Sequence, residues 1–315
     1  MQLVRYLFTV IIAAVLLAAA ITWVTNSGLR RSGVDFYGKM NAASKAANQT
    51  NLILVGSSRV LKHLDPAIID SATGLNSYNY GLNSGTIKTW YNIINYALIF
   101  QKNVKAVVLN IDYNMFDIAR DPYKDAYYYP FEKDAAGILM NDSGTVRLVH
   151  NAKVFDISLY DDYAKYAAID GWLRAGRIAQ GAYKGYYPNR QLNNFEDIAD
   201  AGRVKKDILV SEAGVKLLTD CIELCKKNNV KLILVMAPYF NRYFPGKYFE
   251  NFGTIVNNVK EIARQNNIPF FDYTGMGLAN DQQYFYNVNH LNSSGAAVYS
   301  RAVADSIKSY LKNGN

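Results

Sequence analysis

Short uninterrupted apolar runs recur along this chain. Each is followed by a longer stretch in which apolar residues return every three or four positions. LILVG (52–56), AVVLNI (106–111) and KLILVM (231–236) are the clearest runs. An unbroken run marks a strand covered on both faces, because a half-exposed strand would alternate. Ser77 to Tyr80 and PFFDY (269–273) read as two shorter strands. Helical spacing appears in PAIIDSATG, which stops on Gly74, and in TIKTWYNIINYALIFQK (86–102). It returns in the segments 211–229, 253–267 and 292–312. This alternation predicts an α/β fold with a doubly wound, parallel, five-stranded sheet. Helices on both faces would give three α/β/α layers in a flavodoxin-like arrangement, with right-handed crossovers. The rhythm breaks at about 113–210, where DAYYYPFEKD and GAYKGYYPNR occur. That stretch reads as a mainly helical or irregular insertion after the third strand.

The amino terminus has a different pattern. From Leu7 to Val24 the chain carries no charge, Gly or Pro, which is the lower limit for a membrane span. Residues 1–25 are therefore expected to be a transmembrane anchor or a signal segment. Residues 26–49 would form a polar linker or stalk, and 50–315 the α/β domain. Ala18 to Ala20 could form a signal cleavage region. A retained anchor with its amino end inside is the favoured reading, because no clear small-x-small site follows. Arg5 precedes the span and Arg30 and Arg31 follow it, so charge alone does not set the orientation. The expectation is a single-pass protein of the cytoplasmic membrane with its main domain outside. Secretion after cleavage is the alternative.

Composition narrows the partners. Half of the 315 residues are hydrophobic, enough for a large core. The formal charge is +8, but Lys and Arg are scattered, which argues against nucleic acid. The 25 tyrosines could stack on sugar rings, but aromatic side chains also fill cores. Cys221 and Cys225 share one face of a helix, with poor disulfide geometry and no further pair for zinc. They read as small apolar residues; no metal or cofactor is expected.

In open α/β sheets, ligands bind at the carboxyl ends of the strands. Four groups of polar residues fall there or beside it: Gly56-Ser57-Ser58-Arg59, Tyr80-Gly81-Leu82-Asn83, Asp112-Tyr113-Asn114, and YFYNVNHLNSSG with His290. A serine nucleophile needs an adjacent base, for which neutral histidine is suited, and fixed donors for the oxyanion.

These blocks resemble, in order over about residues 51 to 312, those of the SGNH (GDSL-like) hydrolase superfamily. Gly56-Ser57-Ser58 stands where the family has Gly-Asp-Ser, which implies Ser58 as nucleophile. The resemblance implies the amides of Ser58 and Gly81 as oxyanion donors. Asn114 would be a third donor, the one residue of the third block that survives in Asp112-Tyr113-Asn114-Met115. Asn287-Val288-Asn289-His290 matches Asp-x-x-His, with His290 as base and Asn287 in place of the orienting Asp. A membrane-anchored domain of this type is also similar to the extracytoplasmic partners of polysaccharide O-acetylation and teichoic-acid D-alanylation machineries. The implied function is an esterase or O-acyltransferase that works on a cell-surface glycan through an acyl-serine. Its implied partners are an acylated carbohydrate and a membrane-bound acyltransferase.

Asn287 keeps a second reading open, a weak or inactive glycan-binding scaffold. In the Ser-His-Asp template the Asp-to-Asn exchange costs about 10⁴ in kcat by favouring the wrong tautomer. Asp112 and Asp281 are candidate substitutes for the missing carboxylate. Arg59, Asp112 and Asn83 are candidate substrate contacts; Arg59 reads equally well as a helix-start charge, and Asn83 and Asn292 as loop and cap residues. His63 is expected to be structural or exposed, and His150 incidental. The aromatic insertion is expected to wall or cover the site. A third reading takes GSSR as an anion nest for phosphate.

Overall fold

The computed structural model describes residues 1–315 except 46–48, 135–137, 139, 141–143, 175–182, 190–206, 244, 246–248 and 314–315. In chain order, helices α1 (Gln2–Leu29) and α2 (Asp35–Ser44) precede strand β1 (Leu52–Val55). Then come α3 (Ser58–His63), α4 (Pro66–Thr73), β2 (Ser77–Asn79), α5 (Ile87–Phe100) and β3 (Ala106–Asn110). The insertion holds α6 (Gly144–Asn151), α7 (Asp162–Leu173) and short 3-10 turns. After it follow α8 (Glu212–Lys227), β4 (Lys231–Met236), α9 (Phe252–Gln265) and β5 (Phe270–Asp272). The hairpin strands β6 (Phe285–Asn287) and β7 (His290–Leu291) lead into α10 (Ser293–Asn313). The chain divides into two compact units: Met1–Ser44 with Tyr123–Ala179, and Lys45–Pro122 with Gln180–Asn315.

The second unit is the α/β domain. Its five strands are all parallel, in the order β2-β1-β3-β4-β5. Side chains alternate across the sheet. Leu52, Leu54, Ala106, Val108, Ile233 and Val235 point to one face, where they join Val60, Ile69, Tyr299, Val303 and Ile307 of α3, α4 and α10. On the other side α5 and α8 pack together and against β1 and β4. Cys221 and Cys225 lie on the buried face of α8 as free thiols. The strand order reverses between β1 and β3, so a crevice opens where those two strands end.

The first unit corrects the reading of 26–49 as a linker or stalk. Most of that stretch is folded. α1 continues to Leu29, and α2 buries Phe36, Tyr37 and Met40 completely. Their partners come from the first aromatic motif of the insertion and from α7. Phe36 stacks on Tyr123 at 5.3 Å and meets Tyr128 edge-on at 5.0 Å; Tyr37 stacks on Phe131 and Tyr163. Asn41 Nδ2 donates to the carbonyls of Leu29 and Ser32, both at 2.8 Å, and fixes the turn between the helices. The polar letters of the segment hid one apolar helix face that required cover.

His150 is also not incidental. It is buried, stacks on Tyr129 at 3.6 Å, and lies between Asp156 (3.0 Å) and Glu132 (3.4 Å). α1 contains an 18-residue window with a mean hydropathy of 2.6, and it buries only Thr22, Thr25, Gly28 and Leu29. It is long and apolar enough to cross a membrane.

Candidate active site

β1 ends on Gly56, where the chain must turn sharply into α3. A Cβ at Gly56 would lie 2.5 Å from Val60 Cγ2 and 2.9 Å from Asn110 Cβ, so no larger residue fits. Ser57 caps α3: its hydroxyl accepts from Arg59 N, and its carbonyl from the amides of Val60 and Leu61. Ser58 is thereby held in the first turn, at the end of a central strand.

His290 reaches it from the other end of the chain. The Ser58 Oγ to His290 Nε2 distance is 2.7 Å. His290 pairs with Asn287 across the β6–β7 hairpin. Asn287 Oδ1 faces three N–H groups: Asn289 N at 3.0 Å, His290 N at 2.9 Å and His290 Nδ1 at 3.0 Å. Two of these are backbone amides, which only donate, so the atom facing them must be the oxygen. That fixes the amide's orientation, and with it the tautomer: Nδ1 carries the proton and Nε2 accepts from the Ser58 hydroxyl. The arrangement has the geometry of a Ser-His-Asp triad without its negative charge.

The electrostatics follow from that missing charge. Burial, then the positive charges of Arg59 and Lys62, lower the pKa of His290 to about 4. The imidazole is neutral at physiological pH, competent as an acceptor but reluctant to hold a proton.

The structure brings Ser58, His290 and Asn287 together and distributes the other candidates differently. Arg59 and Asp112, expected as substrate contacts, are both in the interior and face each other at 3.5 Å. Arg59 lies 3.4 Å above the Tyr239 ring and donates to the carbonyls of Ala237 (2.5 Å) and Pro238 (2.8 Å). Burial raises the pKa of Asp112, and Arg59 opposes the rise. The pair is a buried support beneath Ser58, which neither surface contact nor helix-start charge describes. Asp281, weighed as a substitute carboxylate, caps a 3-10 turn through Gln283 N.

Gly81 is also corrected. Its N–H donates to Asn79 Oδ1 at 2.9 Å instead of facing the crevice, while Asn79 Nδ2 holds the carbonyls of Val60 and Leu64. A Cβ there would sit 2.2 Å from Leu61 N, so the glycine lets the β2 loop abut α3. Asn83 lies exposed in the next turn, beside Ser84 in the left-handed region at φ 57°. Asn114 is exposed after β3. Asn292 caps α10 through Gly295 N, as a cap residue should.

Two supports lie beside the Ser58–His290 pair: His63, expected to be structural or exposed, and the second aromatic motif of the insertion. His63 is fully buried on α3; its Nε2 accepts from Leu291 N at 3.0 Å, and its ring meets His290 edge-on at 5.9 Å. Its spacing from Ser58 on one short helix was the available signal. The second aromatic motif of the insertion also docks here. Tyr187 N donates to Leu61 O, Lys62 Nζ to Asn189 Oδ1, and Ser293 N to Asn189 O. The insertion therefore does contribute one flank, through residues 183–189. Among the described residues no cluster of three or more His, Cys, Asp or Glu could hold a metal ion.

No protein-family model and no curated protein matches the chain. Among solved structures it is similar to a Bacteroides fragilis protein assigned as an acylhydrolase, at 15% identity and a TM-score of 0.43. The match covers 85% of this chain and 95% of the other. It is also similar to a GDSL-like lipase from Bacteroides thetaiotaomicron, at 12% identity and a TM-score of 0.41, over 86% and 96% of the two chains.

Proposed function

We propose that the second unit is an SGNH-type serine hydrolase or O-acyltransferase that acts on acyl esters of a cell-surface glycan, outside the membrane that α1 crosses. One observation carries this reading: the continuous chain from Ser58 Oγ through His290 to Asn287 Oδ1, at 2.7 Å and 3.0 Å. A serine whose hydroxyl points at the lone pair of a tautomer-locked imidazole has no evident structural use. Ser58 Oγ attacks the ester carbonyl and its proton passes to Nε2. The tetrahedral intermediate expels the alcohol, which takes that proton, and leaves acyl-Ser58. Water or a sugar hydroxyl then gives its proton to Nε2 and attacks the acyl carbon; collapse breaks the bond to Ser58 Oγ, which takes the proton back from Nε2. The Ser58 amide and Asn114 are the proposed oxyanion donors, since the Gly81 amide is engaged by Asn79.

The neutral orienter favours one competing reading, a glycan-binding scaffold that supports a membrane-bound acyltransferase. Labelling with a fluorophosphonate probe separates the two. The full chain in detergent should be labelled, and Ser58→Ala and His290→Ala should each abolish labelling. A folded wild type that stays unlabelled favours the scaffold.

A further inference from the structure

α7 is amphipathic in an unusual sense. Its buried side is made of the small residues Ala164, Ala167, Ala168 and Gly171, with Asp170 beside them. It packs on the carboxyl end of α1 so closely that a Cβ on Gly171 would lie 1.9 Å from Gly28 O. Its large apolar residues stand on the opposite side, with Trp172 at the edge that meets α1. Tyr166 is 56% exposed, Ile169 58%, Trp172 43% and Leu173 78%. At the helical repeat these four fall within about 120° of arc; the exposed Asp162–Lys165 pair of the first turn shares that arc, and the face is apolar from Tyr166 onward.

The position of this face along α1 is decisive. The uncharged stretch of α1, from Leu7 to Val24, spans about 27 Å at the α-helical rise, close to the thickness of a hydrocarbon core. The lipid–water boundary then falls near Ile21 to Val24. Trp23 stands there 67% exposed, and Trp172 Nε1 donates to Val24 O at 2.9 Å. Two tryptophans at one level are what a membrane interface selects. Arg31 covers the Trp172 ring at 3.9 Å, and the side chains of Lys165 and Arg174 are more than half exposed. Lys165 and Arg174 face Asp162 and Asp170 of the same helix at 3.5 and 3.6 Å, so Arg31 is the cation at this level suited to a lipid phosphate.

We propose that α7 is an interfacial helix, with Tyr166, Ile169, Trp172 and Leu173 immersed at the headgroup–acyl boundary of the bilayer that α1 spans. The inference rests on α1 being a retained span. The occupant is lipid because the face continues the apolar surface of α1 at the level where α1 leaves the membrane. The first unit is thereby seated on the membrane surface, beyond being tethered to it.

The test uses the full chain in vesicles of phosphatidylethanolamine and phosphatidylglycerol with spin-labelled acyl chains. Single cysteines at Leu173→Cys, Ile12→Cys and Lys216→Cys would carry a nitrobenzoxadiazole label. Cys221 and Cys225 are buried, with thiol pKa values raised, and stay unlabelled in the folded protein. Quenching at position 173 should be at least about threefold that at 216, and greater for shallow than for deep spin labels. Position 12 should prefer the deep ones. If position 12 is quenched and 173 behaves like 216, the interfacial helix is refuted while the anchor stands. If position 12 is not quenched, α1 is no span and both readings fall.

Discussion

The decisive perturbation is Asn287→Asp. The hairpin already presents three N–H groups to Oδ1, so a carboxylate oxygen can take the same place without rearrangement. Geometry is held constant and only charge is added. At 3.0 Å and an effective dielectric constant of about 20, a carboxylate attracts an imidazolium by about 5.5 kcal/mol. Desolvation of the new carboxylate offsets part of this. A remainder of about 3–4 kcal/mol corresponds to about 10²–10³-fold in the acylation rate. The assay is the second-order rate of fluorophosphonate labelling as a function of pH. The wild type should lose labelling only near pH 4, where His290 takes a proton. Asn287→Asp should label faster, and its acid limb should move up, since the carboxylate raises the pKa of His290. An unchanged rate and an unmoved acid limb in a folded variant would show that His290 is not the base.

Four further outcomes follow from the same geometry. His63→Leu leaves the Leu291 amide without its acceptor and should destabilise the fold by about 1–3 kcal/mol and lower kcat more than it raises KM. His63→Gln, whose oxygen can accept that bond, should recover part of both in unfolding and rate measurements. Arg59→Lys cannot both stack on Tyr239 and reach two carbonyls; urea unfolding should show a loss of about 3 kcal/mol or more. Acid should also destabilise the protein through His290. Below about pH 6.5 the unfolded chain binds a proton that the folded chain refuses until about pH 4, so stability falls across that window by about 3 kcal/mol. His290→Gln should remove that share of the pH dependence in thermal unfolding.

The sheet was legible because parallel strands buried on both faces leave apolar runs that nothing else leaves. That Ser58 and His290 face each other was legible because they flank the sheet at fixed points of the chain. The orientation of Asn287 was not legible, since it depends on where two backbone amides point. Nor was the diversion of the Gly81 amide to Asn79, a contact set by the exact bend after β2. Arg59 looked like a surface charge because nothing in GSSR shows that Tyr239, Ala237 and Asp112 enclose it. The folded state of residues 26–44 was obscured because Phe36, Tyr37 and Met40 find their cover more than eighty residues later, in the insertion.

Asn287 and His290 belong to a single hairpin, and the backbone amides of that hairpin hold the side chain of Asn287 in place. Shape and charge are therefore independently adjustable at this position. Asp and Asn codons differ by one base, and either residue fits the same three donors. A lineage with this hairpin can raise or lower the basicity of its histidine in a single mutational step without rebuilding the site. The basicity of His290 is in that sense a setting of the hairpin, and the present chain carries the neutral orienter.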